Sequence, residues 1–125
     1  VIVFFPVQDV PSKLRKIVEV AALHFEKKES LCILVPDQAA YEFVDQLLWR
    51  LPEDGFLPHP SSLLFIDTDP KEATALFNLR PIAYQEKIYF KTIYELEDHT
   101  TAEKFQLSKQ RYTVYRDANI PISYL

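Results

Sequence analysis

The chain has one glycine, Gly55, in 125 residues. Loops that cradle a nucleotide's phosphates need glycine, because the backbone must approach the phosphates and adopt positive φ. One glycine builds neither the dinucleotide fingerprint nor the P-loop. The turns that would carry them read Pro6-Val-Gln-Asp-Val-Pro11 and Pro36-Asp-Gln-Ala39, and neither has the required residues. Nucleotide binding of the usual α/β kind is therefore excluded.

Cysteine is as scarce. Cys32 stands alone, so no internal disulfide can form, and its place in the apolar run Leu31–Val35 marks it as a small buried hydrophobe. A basic excess is also missing: the net charge is −4 and the pI about 5.3. DNA affinity comes largely from neutralised phosphates and released counterions, so little direct DNA binding is expected. No apolar run approaches the ~20 residues of a membrane span. The opening residues carry no basic stretch ahead of a long apolar segment, so no secretory signal is read there. The expectation is a cytoplasmic protein without membrane association, a monomer on its own.

What is present suits one ordinary domain spanning residues 1–125. Hydrophobic residues make up 48% and charged residues 26%, close to the globular average, so a packed core needs no covalent staples. Val1–Val7 is a β-branched and aromatic run and reads as a buried first strand. Pro11-Ser12 opens a helix with Leu14, Ile17, Val18, Ala21, Ala22 and Phe25 on one face, ending near Lys27-Lys28. Leu31–Val35 is a continuous apolar run, the pattern of a strand covered on both faces. Asp37 caps a second helix to about Arg50, with Tyr41, Val44, Leu47 and Leu48 inward. This alternation predicts an α/β domain whose mostly parallel sheet is flanked by helices. Leu51–Ser61 reads as an ordered surface loop. Strands follow at Leu63–Asp67 and Ala73–Leu79. Ile88–Leu96 reads as a fifth strand, with a short helix as the alternative. Thr100 or Thr101 caps a last helix to about Ala118, which Pro121 keeps from continuing.

The residues offer little to catalysis. His24, His59 and His99 fall in separate elements, and no serine stands in a nucleophile elbow. His24 lies beside the helical stripe, and His59 suits a loop hydrogen bond. Asp67 and Asp69 stand at a strand end, where ligands gather in open α/β sheets. With no histidine beside them and Pro70 breaking the segment, a solvated turn is the better reading. The alternative function is a metal-assisted phosphoesterase or nuclease using Asp67, Asp69 and His59. No catalytic residue, metal or cofactor is assigned.

Two features suggest binding instead. Trp49-Arg-Leu-Pro is followed by Phe56-Leu-Pro-His59, a pattern that forms either an apolar patch for a protein partner or a loop packed over its own rings. In the last helix, Leu107, Val114 and Ala118 fall together on one face, and Leu107 and Val114 read as core. Phe105, Lys109, Tyr112 and Arg116 share another. A face of cations and rings suits an acidic peptide with apolar side chains; the plainer alternative is an ordinary amphipathic helix.

In these segments the chain resembles the chi subunits of the bacterial DNA polymerase III holoenzyme. The resemblance is carried by Gln38-Ala-Ala-Tyr41, Leu48-Trp49, Pro52 and Phe56-Leu-Pro-His59, and by Arg111-Tyr112 with Tyr115-Arg116. It implies a single Rossmann-like domain without catalysis or nucleotide binding. It also implies binding of the acidic C-terminal tail of single-stranded DNA-binding protein, linked to the clamp loader or another replication or repair protein. By position, Lys109, Tyr112 and Arg116 would take the tail. Trp49 and Phe56 would take a second partner, a psi subunit or a helicase. Thr113 departs from the pattern, since a basic residue is familiar there. The middle of the chain is shorter than in familiar members.

Overall fold

The computed structural model describes residues 1–50 and 57–125. Its elements in chain order are β1 (Ile2–Val7), α1 (Val10–Lys27), β2 (Leu31–Leu34), α2 (Gln38–Arg50), β3 (Leu64–Asp67), β4 (Ala75–Asn78), β5 (Thr92–Asp98), α3 (Ala102–Asp117) and β6 (Ile122–Tyr124). The strands form one six-stranded sheet in the order β3-β2-β4-β5-β1-β6. All pairs are parallel. The fold is thus a single Rossmann-like α/β sheet, as the strand–helix alternation predicted.

Local chemistry sets the helix ends. The Asp9 carboxylate accepts the Ser12 N–H at 2.8 Å, satisfying a first-turn donor of α1, and Pro11 occupies a position where no N–H is needed. Lys28 closes α1 in the left-handed region, φ 57°, with its N–H directed to the His24 and Phe25 carbonyls. Asp37 accepts from Ala40 N at 2.8 Å and starts α2. Thr101 accepts from Lys104 N at 3.0 Å and starts α3. No helix among the described residues is long and apolar enough to cross a membrane.

Alternation along the strands divides the core in two. Leu31 and Ile33 of β2 face α1 and α2, beside Ile17, Ala21, Val44 and Leu48. Cys32 and Leu34 face the other layer, with Ile2, Phe4, Leu76 and Tyr115. Cys32 is fully buried, and that burial pushes its thiol pKa up. Each large apolar side chain buried this completely contributes about 1.5–3 kcal/mol. His24 is buried as well, its ring bridging the Glu29 carbonyl at 3.0 Å and the Tyr94 hydroxyl at 2.6 Å.

Two sequence expectations need correction. The fifth strand is Thr92–Asp98, not Ile88–Leu96. Ile88 and Phe90 pack from residues 79–91, an irregular segment that covers the α3 side of the sheet with Ala83 and Tyr84. Their apolar character serves that cover, not a strand. At its other end β5 runs on to Asp98 because Val7 and Asp98 are still in register. The second correction is an added strand. After α3, Asn119 turns at φ 59° and Ile122–Tyr124 pairs with Ile2–Phe4 of β1. Three residues after a proline carry too little periodicity to announce a strand.

Candidate functional site

Helix α3 presents three stripes, and each does something different. The inward stripe is Ser108, Arg111 and Tyr115, all buried. Leu107 and Val114, expected as core, are only partly buried on one flank. A polar inner face is possible because β5 supplies a fully buried carboxylate, Glu95, opposite it. Glu95 accepts from Arg111 Nε at 2.9 Å, Tyr115 Oη at 2.6 Å and Asn78 Nδ2 at 2.7 Å. Arg111 also donates to the Leu96 carbonyl at 2.9 Å and the Pro81 carbonyl at 3.3 Å. Tyr115 Oη accepts the Tyr84 N–H at 2.8 Å. Among the described residues no buried side-chain nitrogen or oxygen lacks a partner, as a polar cluster in a core requires. Burial pushes the Glu95 carboxyl pKa up, while Arg111 and the neutral donors pull against it. Burial and the Glu95 charge both push the Tyr115 phenol up, so it stays protonated and donates.

The other flank carries Phe105, Lys109, Tyr112 and Arg116, the face read from the sequence. Lys109 Nζ sits 4.6 Å from the Phe105 ring centre, and Phe105 stacks on His99 at 4.2 Å. Tyr112 is half-buried, edge-on to Phe4 at 5.7 Å and 6.0 Å from Tyr124. Tyr124 stacks on Phe4 at 5.7 Å. Lys109 and Arg116 are exposed, and Arg116 pairs with its neighbour Asp117 at 3.2 Å. Lys109, Tyr112 and Arg116 therefore lie along one side of the helix, over an aromatic floor. Thr113 folds its hydroxyl back onto the Lys109 carbonyl at 3.0 Å and adds no charge to this face.

Four residues of this surface were missed from sequence: Phe4, Glu97, His99 and Tyr124. Phe4 and Tyr124 join it only because β6 pairs with β1. Glu97 accepts from Tyr124 Oη at 2.7 Å and lies 2.6 Å from His99 Nε2. Burial alone would raise the Glu97 carboxyl, but the Tyr124 and His99 donors outweigh it and hold it below the usual range. Burial and the Glu97 carboxylate push the Tyr124 phenol up.

The second expected surface is partly described. Trp49 is 40% exposed at the end of α2, its ring 4.7 Å from His59. His59 is buried in the loop, with Nε2 2.8 Å from Asp45 and Nδ1 directed at the Leu57 carbonyl. That is the loop hydrogen bond the sequence suggested. Phe56 lies outside the described residues. Asp67 accepts the Asp69 N–H at 2.9 Å and faces Lys71 at 3.6 Å, a turn held by its own side chain. No group of three or more His, Cys, Asp or Glu that could hold a metal occurs among the described residues.

Comparison with known proteins adds one match. A family model described as DNA polymerase III chi subunit, HolC, covers residues 1–123. No curated protein matches the chain. A match over nearly the whole length leads to one conclusion: the chain belongs to the chi-subunit family of DNA polymerase III, non-catalytic accessory subunits of that enzyme.

Proposed function

We propose that the chain is a replication adaptor. It holds the acidic C-terminal tail of single-stranded DNA-binding protein on the Lys109–Tyr112–Arg116 side of α3, in the cytoplasm. Through the surface that includes Trp49 it joins that protein to the clamp loader or to another replication or repair protein, a psi subunit or a helicase. The observation that carries the reading is the shared side of α3. Two exposed cations flank a half-buried tyrosine, whose ring rests on Phe4 and Tyr124. Tail carboxylates would meet the cations, and the tail's apolar end would lie against the rings. A flexible peptide must be ordered to dock, so the affinity is modest.

The test is a fluorescence-anisotropy titration with labelled tail peptide. Tyr112→Ala should weaken binding about tenfold, the loss expected of a central aromatic anchor. Lys109→Ala should weaken it about threefold and flatten the salt dependence. Undiminished binding by Tyr112→Ala, or by a peptide lacking its last residues, would remove the assignment.

A further inference from the structure

A cleft of about 410 Å³ lies on the opposite flank of α3 from the tail face, walled by Phe43, Leu79 and Leu107 among others. It opens at the carboxyl edge of the sheet, between β2 and β4. There the chain leaves β2 toward α2 and the outer strand β3, and leaves β4 in the other direction, toward β5. Such a reversal holds apart the segments that follow neighbouring strands, and crevices of this kind are where open α/β sheets take ligands. The absence of glycine from its turns leaves no glycine-rich backbone cradle for a nucleotide's phosphates.

Four cations and one carboxylate line the cleft: Lys13, Arg80, Lys104 and Arg111 against Asp98. Three of the cations are already matched. Lys13 pairs with Asp98 at 2.6 Å, Arg80 with Glu86 at 2.6 Å and Arg111 with Glu95 at 2.9 Å. Lys104 is exposed, and its ammonium pairs with no acceptor among the described residues. Phe43, which also lines the cleft, is 55% exposed. The apolar wall and the spare cation thus continue outside the cavity. A small molecule confined within would leave both in water. A chain segment would cover both, with one apolar side chain inside and a carboxylate on Lys104.

We propose that this cleft docks an acidic segment of a protein partner, seating an apolar side chain between Phe43, Leu79 and Leu107 with a carboxylate against Lys104. The site is separate from the tail face, and its test is independent of that reading. The probe is the peptide acetyl-Glu-Leu-Phe-Glu-Asp-amide, titrated into the full chain while methyl NMR signals are followed. The methyls of Val35, Leu79 and Leu107 should shift together on saturation. Lys104→Glu should weaken binding about fivefold, since exposed charge pairs are worth little more. Phe43→Ser should weaken it about tenfold. Both residues are exposed, so the variants keep the fold, which an unchanged far-UV spectrum checks. Tyr112→Ala should leave this affinity unchanged.

The proposal is overturned if the shifts gather around Tyr112 and Tyr124, or if the Gln/Asn version of the peptide binds equally well. It is overturned if 3-phenylpropionate alone binds as tightly, which would make the cleft a small-anion site. Concentration-dependent shifts of the same methyls without peptide would also overturn it, since a second copy would then be the occupant.

Discussion

Arg111 Nε lies 2.9 Å from the Glu95 carboxylate beneath α3, so a charge that the sequence presents as surface is the pin that sets the helix's rotation. With Arg111 turned inward, Tyr112 is carried about 100° round the helix to the β1 side and Leu107 to the cleft side. The two faces of α3 depend on this buried pair.

Removing one partner strands the other charge in the core. Arg111→Ala or Glu95→Ala should therefore cost about 3–5 kcal/mol, whereas a paired apolar replacement, Arg111→Met with Glu95→Leu, should come close to neutral. Urea unfolding measures both. Single substitutions costing under about 1 kcal/mol would show that the pair is a surface-like contact after all.

Thr113 interrupts the row of cations on the proposed tail face. Its hydroxyl is spent on the Lys109 carbonyl, so replacing it loses only a weak back-bond. Thr113→Lys should tighten tail-peptide binding about threefold at low salt. The gain should vanish near 1 M salt, where the screening length falls to about 3 Å. Anisotropy titrations at several salt concentrations read out both effects.

Asp98 gives an acid-side signature. Burial would raise its pKa, but the Lys13 ammonium at 2.6 Å and the Thr100 donors hold it below the usual range. A carboxyl depressed in the folded state adds stability that is present above its unfolded pKa and is lost as pH falls through the folded value. That window opens at about pH 4 and runs downward. Lys13→Met should raise the folded pKa, lower the stability at neutral pH and flatten the acid limb of a stability–pH curve. An acid limb unchanged by Lys13→Met would remove this contact from the account.

The sequence made some of this legible and hid the rest for physical reasons. Apolar runs and helical stripes located β1, α1, β2 and α2, because burial on one face or two leaves a periodic trace. The Lys109–Tyr112–Arg116 stripe was visible in the same way. The inner face of α3 was not, since Ser108 and Arg111 look like surface until Glu95 is brought opposite them. Phe90 misled for the converse reason: it is buried, but against the sheet and not in it. Phe4 and Tyr124 are 120 residues apart in sequence, and only the β1–β6 register brings their rings to 5.7 Å. No local pattern encodes such a meeting.

The two proposed partner surfaces should act independently. Trp49 ends α2, which packs on one face of the sheet, and Tyr112 projects from α3 on the other. Side chains separated by a sheet share no contact, and substitutions so far apart add within about 0.3–0.5 kcal/mol. Trp49→Ala should therefore leave tail-peptide affinity within about twofold while weakening capture of the second partner. Tyr112→Ala should do the reverse, and the double variant should show the sum. Tail titrations and partner pull-downs on all four proteins complete the cycle. A coupling well above about 0.5 kcal/mol would mean that the sheet transmits strain between its faces, and the chain would then be a switch whose two partners sense each other, not a passive link.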